Sequence, residues 1–142
     1  REKSHKPSQI FALALPFPLF EGDQAEGILA STAALATDRG LRALSTSDPL
    51  FRDERGCSEG ESLRHGATVP WLLAPYLSAL TAIRGEPGRV QARELLTRFY
   101  AHLSEGAAGS VSGLISSSGR PEGAVSSLTA AAELFRLLCE EV

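Results

Sequence analysis

Apolar positions along the chain fall into four helix-period stretches separated by short turns and two long polar segments. From Asp23 to Gly40 the apolar face is Ile28, Thr32, Leu35 and Ala36. Asp23 with Glu26 three residues on has the form of a capping box, and Gly40 has the form of a left-handed helix stop. A second helix is expected from Pro70, a favoured first-turn residue, to Gly85, with Trp71, Leu73, Leu77, Leu80 and Ile83 on its apolar face. Pro75 falls early enough in that helix to remove few backbone bonds. A third opens at Pro87 and places Ala92, Leu95, Leu96, Phe99 and Leu103 on one side before Gly106. These residues follow the i, i+3, i+4, i+7 rule of an amphipathic helix. The last helix is expected from Ala124 to Glu141, with Ala124, Leu128, Ala131, Phe135 and Leu138 facing one way and Glu133, Arg136 and Glu140 facing away.

Residues 40–66 and 106–123 read as loops rich in Ser, Gly and charge. Loops of this length inside a compact unit tend to be functional or disordered. No convincing pair of strands is evident. The expectation is therefore an all-α chain of four main helices with long polar loops, forming one unit over residues 1–142.

At 142 residues, 43% apolar and 22% charged, the chain has the composition of a single globular unit. The net charge is −3, and the 14 Lys and Arg are scattered, so no basic stripe points to nucleic acid. The apolar run from Ile10 to Phe20 superficially resembles the core of a signal peptide. Pro16 and Pro18 interrupt it, and it is too short to span a bilayer, which takes about 20 residues, so no membrane partner is expected. There is no Met, and the first residue is Arg1; the expectation is a piece of something longer. Cys57 and Cys139 belong to no metal or redox spacing, and read as free thiols of a reducing, cytoplasmic compartment. His5 and His102 have no partners at ligand spacing, and no glycine-rich phosphate loop follows a strand, so neither a metal nor another cofactor is expected.

Four patches, in order and at matching spacing, resemble the glycogen debranching (amylo-α-1,6-glucosidase) family of glycoside hydrolases. SQIFALALPF at residues 8–17 is similar to NQIFALSLPF. GLRALSTSDPLFR at 40–52 is similar to GLRSLSPxDPxYR. GATVPWLLAPYLSAL at 66–80 is similar to GTVWPWLLGPYxxAL, and RPEGAVSSLTAAAEL at 120–134 is similar to RPRGCPAQAWSVAEL. The resemblance covers about Ser8 to Leu138. It implies the C-terminal portion of an (α/α)6 barrel, with loops 40–66 and 106–123 on the pocket side. It also implies hydrolysis of α-1,6-linked glucose at glycogen or starch branch points in the complete protein, without metal.

Departures from the family pattern bear on that chemistry. Glycoside hydrolysis ordinarily takes two carboxyl groups, one to protonate the leaving oxygen and one to activate water or attack. Where the family carries the Glu that the resemblance implies is the base, this chain has Gly113, followed by Ser116, Ser117 and Ser118 in place of acids. The family's general acid lies upstream of the matched patches. Glu122 is the nearest acid to the lost base; a loop acid of this kind is ordinarily solvated. Arg42, Ser45 and Asp48 match a loop near the family's pocket and are candidate sugar contacts, although Asp48 before a proline also suits a turn. Arg64 and His65 precede a helix at a turn that faces substrate in the family, with the His displaced by one position. Trp71, the only Trp, is either a sugar-stacking ring or core.

These features leave three readings. The chain is a segment of a debranching-type hydrolase, a non-catalytic relative that binds glucan (glycogen, starch or maltooligosaccharide) or a protein, or a helical scaffold without a sugar role. A partial barrel would expose helix faces, so its partners are expected to include an upstream part of the same barrel or a second copy.

Overall fold

The structure is a computed structural model that describes residues 6–52 and 59–140. After a 3-10 turn at Pro7–Ile10 come α1 (Phe11–Ala14), α2 (Gly22–Ala33), β1 (Ala36–Thr37), β2 (Gly40–Arg42), α3 (Glu59–Arg64) and β3 (Thr68–Val69). A 3-10 turn at Pro70–Leu72 leads into α4 (Leu73–Phe99), and another at Tyr100–Ser104 follows it. The chain then forms β4 (Leu114–Ile115), β5 (Pro121–Glu122) and α5 (Leu128–Glu140).

Helix α4 is the centre of the packing, touching α1, α2 and α5. Every residue from 73 to 80 is buried, which is the pattern of a helix enclosed on all sides, not of a surface helix. Pro75 sits in its first turn, where backbone N–H groups lack intrahelical acceptors in any case. The expected break at Gly85 is present (φ 58°, ψ −133°) and divides α4 into two arms. At the elbow the second arm presses on the first: a Cβ at Gly88 would stand 2.2 Å from the Leu80 carbonyl oxygen. Arg84 braces the elbow from outside, with Nε donating to Glu26 Oε1 of α2 at 3.1 Å and Nη1 donating to Gln91 Oε1 at 3.2 Å. Glu26 is thus committed to Arg84, and the N-cap of α2, Glu21, makes no side-chain capping bond; the expected capping box is not formed.

The expectation of an all-α portion of a helical barrel is overturned by a five-stranded antiparallel sheet in the order β1-β2-β3-β4-β5. Its registers include Thr37 with Gly40, Leu41 with Val69, Thr68 with Ile115, and Leu114 with Glu122. Each strand is two or three residues long, below the length at which alternation is visible in sequence. Helix α2 stops at Ala33, short of Gly40, as the Thr32 and Ser31 hydroxyls turn back on the Ile28 carbonyl at 2.9 and 2.8 Å. Ala36, expected on that helix, is in β1. Gly40 is a strand residue at φ 140° whose added Cβ would lie 2.5 Å from the Val69 carbonyl oxygen. It is there for close backbone approach. Residues 40–66 and 106–123 are therefore not plain loops.

Helix α5 begins at Leu128, with Ser127 Oγ accepting from the Ala130 N–H at 3.3 Å. Its buried face is Ala130, Leu134 and Leu137, and not the stripe expected from the sequence. Leu128 is 84% exposed and Phe135 69%. Arg136, expected to face away, reaches inward to donate to Ser78 Oγ of α4 at 3.2 Å. Both stripes of α5 satisfy a 3.6-residue period, so periodicity alone does not choose between them.

Truncation distinguishes the two faces. Leu137→Ala is expected to destabilise the chain by about 2–5 kcal/mol, the usual cost of emptying a core leucine site. Phe135→Ala is expected to stay within about 0.5 kcal/mol of the parent. Denaturant melts of the two variants check this; comparable losses would return the core to the Phe135 face.

Candidate functional site

Three of the four sequence patches singled out above, together with the Gly113 segment, supply strands to the sheet. GLR of residues 40–42 is β2, TV of 68–69 is β3, LI of 114–115 is β4, and PE of 121–122 is β5. The ladder fixes these segments side by side although up to 80 residues of chain separate them.

Ser45 and Asp48 lie in a turn that is ordered from within. The Ser47 N–H donates to Ser45 Oγ at 3.3 Å, and the Leu50 N–H donates to Asp48 Oδ1 at 2.9 Å. The Asp48 and Phe51 N–H groups donate to the Ser45 and Asp48 carbonyls, both at 2.9 Å. This is the Asx-turn chemistry expected before Pro49. Three contacts dock the turn on residues 65–67. Ala43 N–H donates to the Ala67 carbonyl at 2.9 Å, Arg52 N–H donates to the His65 carbonyl at 3.1 Å, and the Phe51 ring lies against Gly66. The structure thus brings Ser45, Asp48 and His65 into one loop cluster. His65 is half-buried, and Arg64, at the end of α3, is exposed. Trp71 follows on the next turn, half-buried, its ring 5.6 Å from that of Phe11 and inclined by 30°.

Arg42, in β2 opposite Thr68, faces a polar cavity of about 90 Å³ that Asp38, Arg39, Thr68, Ser116 and Ser117 also line. Its guanidinium makes no hydrogen bond or ion pair with other described residues. Ser116 is buried and organises the β4–β5 turn: its Oγ accepts from the Arg120 N–H at 3.1 Å and lies 2.9 Å from Ser118 Oγ.

Gly113 precedes β4. Its N–H donates to the Ala124 carbonyl at 2.8 Å, and its φ is outside the left-handed region. A Cβ there would stand 3.1 Å from the Ala124 nitrogen and 3.3 Å from the Ala124 Cβ, so a side chain needs a shift of a few tenths of an ångström. Glu122 stands opposite Leu114, and Gly123 (φ 69°) is the extra residue between that pair and the Gly113–Ala124 bond. Gly113 is a bend residue just outside β4, and Gly123 interrupts the pairing beside it, so the alternation of strand faces does not carry from Glu122 to position 113.

One polar assembly escaped the sequence reading. His102 is buried after α4, its Nδ1 3.0 Å from Glu105 Oε2. The Ser112 N–H points at His102 Nε2 at 3.4 Å; with Nε2 as its acceptor, Nδ1–H is the donor to Glu105. Glu105 in turn takes a two-pronged bond from Arg39 of the β1–β2 turn, with Nε at 3.0 Å and Nη2 on the second oxygen. The Arg39 hydrogen bond, ahead of a smaller one from His102, holds the Glu105 carboxyl below its ordinary range against a modest burial effect. A His followed three residues later by Glu at a helix end was the signal available. Elsewhere, the Arg84 bond lowers Glu26, and burial raises Tyr76.

Among the described residues, no group of three or more His, Cys, Asp or Glu is placed to hold a metal ion. No helix among them is long and apolar enough to cross a membrane. Cys139 is an exposed free thiol, whereas Cys57 and His5 lie outside the described residues. A cavity of about 430 Å³ is lined by Leu13, Phe20, Glu21, Glu26 and Ile83 among others, and by none of the candidate residues.

The model that defines a family described as amylo-alpha-1,6-glucosidase matches residues 1–136. No curated protein and no solved structure matches the chain.

Acid is expected to dissolve the Arg39–Glu105 link. A carboxyl whose folded-state pKa is depressed adds stability that is present above its unfolded pKa and lost as pH falls through the folded one. Parent and Glu105→Gln should therefore differ in melting temperature at about pH 6 and converge towards about pH 3. A gap that persists in acid would remove the charge from the account.

Proposed function

Because the chain belongs to the amylo-alpha-1,6-glucosidase family, we propose that it is a glucan-binding segment of a glycogen debranching-type glycoside hydrolase that does not itself cleave glycosidic bonds. The observation that carries this reading is at Gly113. The position is held by a backbone bond to Ala124 at a φ that does not require glycine, with Ala124 needing to give by a few tenths of an ångström to admit a side chain, yet it supplies no carboxylate. Hydrolysis with a positioned pair of carboxyl groups is then not available from the hairpin that the resemblance assigns to the base. Glu122, paired with Leu114 in the ladder, is not proposed as its replacement.

Sugar recognition needs donors and acceptors held in place. Arg42 is proposed as the principal sugar contact, since its donors are unused by described residues and the Thr68 and Ser117 hydroxyls line the same cavity. Arg64 and His65, beside the ordered turn, extend the surface. Ser45 and Asp48 are proposed to act by shaping that turn, and Trp71 by packing on Phe11 with one edge left accessible. The glucan in view is glycogen, starch or a maltooligosaccharide.

A second reading concerns protein partners and rests on α5. Leu128, Phe135 and Leu138 form an exposed apolar stripe, the kind of surface that other protein ordinarily covers. We propose that either more of the same polypeptide or a second copy covers it. Sedimentation of the chain and of Phe135→Asp checks this: concentration-dependent association lost in the variant is expected, and a monomer at all concentrations would dismiss self-association.

For the sugar reading, calorimetric titration with linear and α-1,6-branched maltooligosaccharides is expected to give binding with no glucose released. Arg42→Ala is expected to weaken that binding about tenfold, roughly 1.4 kcal/mol, the scale of one charge-assisted hydrogen bond. Glucose release by the chain alone, or no binding at millimolar sugar, would each sink the proposal.

A further inference from the structure

Three residues, Arg39, Glu105 and His102, link the β1–β2 turn to the segment that carries Gly113, and the last of them can change its proton count. Arg39 grips Glu105, Glu105 takes the Nδ1 proton of His102, and His102 Nε2 takes the Ser112 N–H. Ser112 is 2% exposed and His102 1%, so neither group has bulk water to fall back on. Ser112 immediately precedes Gly113, and its neighbour Val111 receives the Ser127 N–H at the start of α5 through its carbonyl at 2.7 Å.

We propose that His102 is a proton-operated latch on the Ser112–Gly113 segment, holding it when the imidazole is neutral and releasing it when the ring is protonated. The lone pair on Nε2 is the only acceptor the ring offers. A proton arriving from solvent occupies that lone pair and turns Nε2 into a donor. Two donors, Nε2–H and the Ser112 N–H, then face each other. A buried N–H without an acceptor is costly, so the segment withdraws from the ring. The bond to Glu105 survives the change, because Nδ1–H is a donor in both states.

The charged surroundings leave this response to the ring. On its own segment His102 faces Glu105. From the β1–β2 turn come Arg39 and, 3.9 Å from it, Asp38. Glu122 of β5 lines a cavity together with Ser112. Phe99 stands edge-on to the ring at 5.5 Å and is uncharged. Arg39 keeps Glu105 ionised below the ordinary carboxylate range, so the acceptor for Nδ1–H remains while the ring takes up its proton. The latch does not depend on glucan binding, although it would govern the hairpin that the glucan reading invokes.

The test is a pH titration of the whole chain by ¹⁵N NMR, following the ring nitrogens of His102 and the amide exchange of Ser112. The expected result is an Nδ1–H tautomer in the neutral state. Protection of the Ser112 amide then falls tenfold or more at the same midpoint as ring protonation, while the Leu77 and Leu80 amides stay protected. His102→Gln, whose side-chain carbonyl can replace Nε2 and does not titrate, is expected to keep Ser112 protected through that range. His102→Asn, which retains only the donor to Glu105, is expected to lose the protection at every pH. An Nε2–H tautomer in the neutral state overturns the latch. So does Ser112 protection that ignores ring protonation, or loss of Leu77 and Leu80 protection at the same midpoint. If neither variant folds, the parent titration alone decides. If maltooligosaccharide binds, its affinity is expected to fall with the same midpoint; if no sugar binds at any pH, the glucan reading fails and the amide data still judge the latch.

Discussion

Backbone pairing between short strands is the constraint on which the candidate surface depends. Strands of two or three residues bury little side-chain surface of their own. Their value is that the chain crossings of residues 36–42, 68–69, 114–115 and 121–122 occur where several neighbouring residues are buried, and buried N–H and C=O groups must find partners. The ladder satisfies them and in doing so fixes the order of the segments. Arg42 stands beside Thr68, Thr68 beside Ile115, and the Gly113 hairpin follows. Without the pairing of β2 with β3 and β3 with β4, these residues would belong to unrelated stretches of sequence.

The helices supply the rigidity beneath that ladder. The first arm of α4 is buried along its length, and the elbow at Gly85 is clamped from two sides, by the Gly88–Leu80 backbone contact within and by Arg84 on Glu26 and Gln91 without. Interlocking of this kind leaves little room for the arms to change angle, because interiors packed at crystal-like density do not deform continuously. The sheet therefore rests on a firm base.

Much of the helical layout was legible in the sequence. The period-3.6 stretches, the break at Gly85 and the start of a helix after Pro70 follow from local chemistry, since capping, proline and glycine effects act within one turn. Two things were not legible. The strands were too short for alternation to register, and Gly40, which has the signature of a helix stop, is required instead by the carbonyl of Val69, nearly thirty residues away. The buried face of α5 was misread because Leu128, Phe135 and Leu138 repeat as regularly as Ala130, Leu134 and Leu137; only the neighbours on α4 choose between them. At the candidate site, three of the patches that carry the family resemblance pair in one sheet, a juxtaposition that their order in the sequence does not reveal. The Arg39–Glu105–His102 assembly could not be foreseen in full, because Arg39 and Glu105 are 66 positions apart.

The turn at Ser45–Phe51 has a further consequence. Its hydroxyls, carboxylate and carbonyls already hold one another, and three contacts tether it to residues 65–67. A loop left floppy in the free state loses conformational freedom when a ligand settles on it, at about 0.5–1.5 kcal/mol for each side chain immobilised. Here that loss has already been taken during folding. An oligosaccharide settling on the turn itself would find the backbone there already ordered, so that the length and stiffness of the sugar chain would weigh more than any rearrangement of the turn.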